Sequence, residues 1–405
     1  MAWVHTLARL DMRTATGRTL RAGCRSAWLA AWLSLLPAIF PAHAAPFVPA
    51  RDDVIVERLR DRPLDQTDRE LRKLRAALRQ APGQLALAVP VAQRCIAIAR
   101  RDGDPRYIGY AEAALMPWWQ RGDMPPSVRL LKAVLLQSLH QFGPALQELD
   151  ALLAQDAGNA QALLTSASIL QVQGRYGEAG ARCLRLGEVP GAADYANACL
   201  ADLRGLQGDP ASAAAKLEEL RSANPALDSW LRLLEAELAE RAGDAQEAQR
   251  EFAFALSAAN DAYTKAAYAD FLLDQGRPAE VITLLTGSER SDPLLLRLAL
   301  AYHATHDARL AASVSDLQSR FDAAHLRGDR LHLREEARFA LELQGQPNAA
   351  LALAQANWEV QKEPADMRIL LASARAANNK DGAEPVRRFI ADNRISDVRL
   401  TGYLQ

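Results

Sequence analysis

A glycine returns along this chain at positions 174, 208, 243 and 276, in steps of 33 to 35 residues. Each stands near the end of one apolar-periodic run, with a small residue inside the next run five positions later. Gly103 and Gly345 extend the series at doubled steps, and His140 and His306 stand near the two intermediate slots. A period of this length is the signature of a stacked-repeat architecture, because a unit that short cannot bury its own apolar face. It therefore constrains the fold more than any motif in the chain.

Other positions keep step with the anchors. Seven residues before them stand Ala133, Ala167, Ala201, Ala236, Ala269 and Ala299; five after them stand Ala145, Ala179, Ala213, Ala248 and Ala311, with Val281 the exception. Leu149, Cys183, Leu217, Phe252 and Leu285 follow four later. Small residues facing small residues let two helices cross closely, and larger ones fill the space beside the crossing. Pro225 and Pro364 fall where a second helix must end. Hydrophobic residues make up 49% of the chain but aromatics only 6%, so the apolar content is largely the strong helix formers Ala and Leu. The expectation is an all-α chain of about eight helix–turn–helix units, with the register least regular between 290 and 345.

The segment Gly174-Arg175-Tyr176-Gly177-Glu178-Ala179, and more weakly Phe142-Gly143-Pro144-Ala145, resembles the turn of the tetratricopeptide repeat family. The resemblance runs from Val89 to Asn379 and more weakly over Leu64 to Gln84. Most of the family's turn aromatics are replaced here by Pro or Ala. The resemblance implies a superhelical solenoid whose first helices line a concave surface, and partners that are proteins or peptides. It divides the chain into an N-terminal linker and cap over 45–88, an array over 89–379, and a C-terminal cap and tail over 380–405.

Residues 1–44 read as an address rather than as fold. Five arginines stand against the single acid Asp11, an uncharged apolar run spans Ala27 to Phe40, and Ala42-His43-Ala44 has the small-x-small pattern of a cleavage site. The 14-residue run is short of the ~20 residues a membrane span needs. A cleaved export signal is expected, with an uncleaved anchor or a chance apolar helix as alternatives; Met12 is an alternative start. Cleavage would leave a net charge of −5, and that balance gives no reason to expect nucleic acid as a partner.

Three consecutive first helices share a further pattern. Tyr195, Trp230 and Tyr263 each precede an acid by seven residues, namely Asp202, Glu237 and Asp270. Two helical turns put each aromatic and acid on one face, and Glu240 and Asp274 add charge one turn on. One reading is a groove with aromatic steps and acidic rungs for an extended basic or amide-rich segment. The other has the aromatics packed on the preceding repeat and the acids merely solvated. Cys183 and Cys199 fall on adjacent helices, able to form a disulfide or to serve as two small buried thiols; Cys95 reads as core. His303 and His306 lack carboxylate or thiol company at ligand spacing, so no metal is expected. Trp118-Trp119, between Pro117 and the Gly122–Pro126 stretch, reads as a buried plug at a rigid turn.

No His-Glu-x-x-His, Gly-x-Ser-x-Gly, phosphate loop or Cys-x-x-Cys is present. A non-enzymatic scaffold without a cofactor, binding proteins in a bacterial cell envelope, is the expectation. The alternative is a handler of envelope polymers or carbohydrate, weakly hydrolytic through the acidic groove.

Overall fold

The computed structural model describes residues 66–404 apart from 120. The export signal and the first part of the expected N-terminal cap lie outside the described residues. What is described is helical, with α1 at Gln66–Gln80 preceding nine antiparallel hairpins. The first helices of these hairpins are α2 Leu85–Asp102, α4 Pro126–Ser138, α6 Ala160–Val172, α8 Ala193–Leu206, α10 Asp228–Ala242, α12 Ala262–Asp274, α14 Asp292–Ala304, α16 Leu333–Glu342 and α18 Pro364–Ala376. Their partners are α3 Arg106–Trp119, α5 Phe142–Gln155, α7 Tyr176–Gly187, α9 Pro210–Ala223, α11 Ala245–Ala258, α13 Pro278–Leu285, α15 Leu310–Leu326, α17 Pro347–Trp358 and α19 Lys380–Asn393. A 3-10 turn, Val398–Leu400, and the short α20, Thr401–Leu404, end the chain. No helix among the described residues is long and apolar enough to cross a membrane.

The anchors work by backbone conformation. Reversing the chain between the two helices of a hairpin needs one residue in the left-handed region, where glycine pays no Cβ penalty. Gly103, Gly174, Gly208, Gly243, Gly276 and Gly345 all have positive φ, and His140 and His306 occupy the same conformation at 55° and 54°. The series has a ninth member that glycine spacing does not reveal: Asn378, φ 52°, turns α18 into α19. The segment expected to be a C-terminal cap, from Lys380, is therefore the second helix of a ninth hairpin. Three second helices, α9, α11 and α19, start on built caps: Asp209, Asp244 and Asn379 each accept a backbone N–H from the first turn that follows.

The alanines seven residues before the anchors are buried, as are Ala145, Ala179, Ala213, Ala248 and Val281 after them. Ala311 is not; it is exposed. The turn after His306 runs on to Arg309 before α15 begins, so Ser313 and Leu317 take the inward positions instead. Within 290–345 the second helix α15 is long, at 17 residues, whereas α13, just before that stretch, has only 8. Trp118 and Trp119 are buried, but in the last turn of α3 rather than in a loop; Lys132 lies over the Trp119 ring.

The array does not stay open. Gly103, at the end of α2, faces Ser291 and Ala262 at the starts of α14 and α12. The C-terminal hairpins then cross the ends of earlier first helices. Lys362 N–H donates to Val172 O of α6 at 2.7 Å, and Ser396 N–H donates to Leu206 O of α8 at 2.9 Å. Phe389 of α19 packs on Tyr176, with ring centroids 5.9 Å apart, and against Gly174. Val398 covers Gly243. Nearest-neighbour stacking alone would give none of these contacts.

Candidate functional site

Closure leaves a half-open cavity of about 370 Å³ to which all nine first helices contribute. Arg100 comes from α2, Gln137 from α4, Gln171 from α6, Asp202 from α8, Glu237 from α10, Tyr263 from α12, Arg297 from α14, Arg334 from α16 and Pro364 from α18. In most of these helices the contributing residue lies in the C-terminal half, where the closing contacts also fall.

Of the residues singled out by the seven-residue spacing, Asp202, Glu237, Glu240, Tyr263 and Asp270 line this cavity; Tyr195, Trp230 and Asp274 do not. Trp230 is buried and packs on half-buried Tyr195, centroids 5.7 Å apart and planes 31° apart. Tyr263 donates its hydroxyl to Glu237 at 2.5 Å.

The acids meet cations and amides of the same chain. Asp202 is buried and accepts from Arg241 at 2.9 Å and from Gln171 at 2.7 Å. Asp270 accepts from Arg297 of the next repeat and from Arg338 of α16, both at 2.5 Å. Asp274 pairs with Arg368 of α18 at 2.7 Å, and Glu240 with Arg399 of the C-terminal turn at 2.7 Å. Three of these four acids are thus bridged to the last three hairpins or to the tail. Spacing reasoning missed those arginines. Their signal is a change of sign along the first helices, from acids in α8, α10 and α12 to arginines in α14, α16 and α18.

Burial and pairing pull the carboxyls in opposite directions. Burial pushes Glu240 up to about 7, against the opposing pull of Arg399. Burial likewise raises Glu237, with Asp202 and Glu363 adding to the push. Asp270 goes the other way, since its two guanidiniums override burial and hold it well below the usual range. Burial drives His140 down to about 4, so its ring is neutral at pH 7; it meets the Gln361 amide at 3.2 Å. Glu363 and Asp366 open α18 with a reciprocal capping box and share Arg334, which donates to them at 2.7 and 3.3 Å.

Cys183 of α7 and Cys199 of α8 have Cα atoms 5.9 Å apart, a separation a disulfide spans, and their sulfurs are joined. Cys95 is a buried free thiol pushed up to about 11 by burial. Among the described residues no group of three or more His, Cys, Asp or Glu side chains comes together as a metal site.

No family model matches the chain, and no curated protein matches it in sequence. Among solved structures it is similar to the TPR domain of P58(IPK), at 14% identity over 69% of this chain and 96% of that one, with a TM-score of 0.23. It is also similar to a monomeric mutant of IFIT1 with Gppp-AAAA, at 14% identity over 84% of this chain and 76% of that one, with a TM-score of 0.36. The repeat architecture described above rests on the chain's own hairpins and left-handed anchors.

Proposed function

We propose that this chain is an interaction scaffold that holds a protein or peptide partner on its concave side, with Tyr263, Glu237 and the neighbouring carboxylates Asp202, Glu240 and Asp270 forming the recognition face and Asp274 outside it. Tyr195 and Trp230 buttress that face from behind. Export through the N-terminal segment, with cleavage after Ala44 and work in a bacterial envelope, belongs to the same reading. The observation that carries it is the convergence of nine first helices on one cavity of about 370 Å³ with charged side chains in its wall. A volume in that range suits a ligand or a short chain segment rather than a folded domain. A sugar-stacking groove is less favoured, because Tyr195 and Trp230 turn their rings toward each other.

The test is a photo-crosslinking residue placed at Ala267, which lines the cavity, beside a control at Leu184, an exposed position on a second helix. Discrete protein adducts from position 267 and none from 184 are expected. Adducts from 184 alone would move the binding surface off the concave side and refute the assignment.

A further inference from the structure

One flank of α1 carries a row of cations that its neighbours do not answer. The helix holds five basic residues, Arg69, Arg72, Lys73, Arg75 and Arg79, against two acids, Asp68 and Glu70, in a chain whose net charge is −1. Leu71, Leu74 and Leu78 pack into the core of the first hairpin. The helical repeat then puts Asp68, Arg72, Arg75 and Arg79 within about 60° of one another beside that apolar face. Both acids of α1 are engaged by arginines of α2: Glu70 pairs with Arg94 at 2.5 Å and Asp68 with Arg101 at 3.3 Å. The nearby Asp102 and Asp104 are held by Arg101 and Arg106 at 2.7 and 2.5 Å. Among the described residues no carboxylate pairs with Arg72, Arg75 or Arg79.

The three guanidiniums share one open recess of about 290 Å³, whose wall also contains Asp68, Leu71 and Tyr107 of α3. Arg75 is half-buried, and its guanidinium lies over the ring of Tyr110, 4.4 Å from the centroid. Tyr107 meets that same ring edge-on at 5.7 Å. Stacking by the face fixes the guanidinium plane and leaves its edge N–H donors open. Arg72 and Arg79, both exposed, stand about one turn to either side, so the three Cα atoms span only about 10 Å. Side chains of that length converge readily over such a span. Burial, with Asp68, Asp104 and Asp102, raises the Tyr107 phenol above its ordinary range, so its hydroxyl keeps its proton as a donor.

We infer that this recess is an anion site for a phosphate group, held by the forks of Arg72, Arg75 and Arg79 with the Tyr107 hydroxyl as a further donor. Guanidinium forks match phosphate oxygens two at a time and are only weakly hydrated, which favours them over ammonium groups for this task. A carboxylate, with two oxygens and one charge, would leave most of these donors unused. The phosphate can belong to a small soluble compound or to a lipid headgroup, since the recognition is the same. The recess shares no lining residue with the concave cavity, so the site stands or falls independently of the scaffold reading.

The experiment has two arms on the full chain: titration calorimetry with inorganic pyrophosphate at low ionic strength, and flotation with phosphatidylcholine vesicles with and without phosphatidylglycerol. Pyrophosphate binding would assign a small phosphate compound; flotation only with phosphatidylglycerol, without pyrophosphate binding, would assign the headgroup. In whichever arm binds, Arg72→Gln, Arg75→Gln and Arg79→Gln should each weaken it about tenfold, the loss expected for one charge-assisted contact. Arg72 and Arg79 are exposed, so these variants should keep native helicity and cooperative unfolding. Lys73→Gln removes the same charge from the same helix, at least about 100° away from the three, and should leave binding unchanged. No binding in either arm would overturn the inference. An equal loss from Lys73→Gln would overturn it too, because the attraction would then be a diffuse field rather than a site.

Discussion

Two glycine-to-alanine substitutions separate the cost of a turn from the cost of closure. Gly174 and Gly276 are both hairpin anchors, with φ of 74° and 67°, so an alanine at either must hold the left-handed conformation. That conformation costs roughly 1–2 kcal/mol for a residue with a Cβ, and both substitutions bear it. They differ in what the new methyl meets. At Gly276 there is open space; at Gly174 it would lie 2.5 Å from Cζ and 2.9 Å from Cε2 of Phe389. That ring cannot simply swing away, because it also packs edge-on against Trp358 at 5.3 Å and tilted against Tyr176. Overpacking of this kind costs about 1–3 kcal/mol. G174A should therefore lose that much more than G276A in equilibrium urea unfolding. In a Phe389→Ala background the excess should vanish, leaving a coupling energy of the same size in the double-mutant cycle. If G174A and G276A cost the same within about 0.5 kcal/mol with Phe389 intact, the ninth hairpin does not sit on the third, and the closed array is refuted.

Arg338→Met removes the contact between Asp270 and α16 while leaving Arg297 in place; a loss of about 1–3 kcal/mol is expected, less than the ~3–5 for stripping a buried charge of its partner outright. Chemical denaturation of the variant checks it, and an unchanged midpoint would deny that pair a role in closure. Glu240 sits near 7 when folded against an ordinary 4.5, so the folded state holds its proton more tightly than the unfolded chain. Its contribution to stability accordingly falls as pH rises from about 4.5 to 7, and Glu240→Gln should gain on the native chain across that window and keep the full gain above it, the pH dependence of the two being parallel outside. A gain in the opposite sense would mean that Arg399, rather than burial, governs the carboxyl. Reduction of Cys183–Cys199 should lower stability by about 3 kcal/mol, as expected for a loop of this length, and Cys199→Ala should make unfolding indifferent to reductant; thermal melts with and without reductant decide it.

The hairpins were legible in the sequence because each turn has a stereochemical requirement that glycine meets best. Where another residue meets it, legibility fell: His140 and His306 were found only by interpolation, and Asn378 was missed, although Asn is the next most tolerant of that conformation. The slip at Ala311 has a similar origin. Spacing counted from His306 assumes a turn of constant length, and two further residues there carry the inward positions on to Ser313 and Leu317. The site was legible only as a face. A seven-residue interval states that Trp230 and Glu237 share one side of a helix; it does not say what approaches that side. Closure depends on contacts between repeats far apart in the chain, such as Asp270 with Arg338, and a neighbour-to-neighbour pattern carries no record of them. The reversal of charge between α8–α12 and α14–α18 was the one available clue.

Closure is tested most directly by amide hydrogen exchange at Lys362 and Ser396 in the native protein. Neither residue lies in a helix, and the backbone acceptors of their amides, Val172 O and Leu206 O, belong to first helices five or more repeats earlier in the chain. The closed array predicts protection at both sites comparable to that of helical amides in α6 and α8. Exchange at the rate of an open loop at both, with those helices still protected, would contradict it.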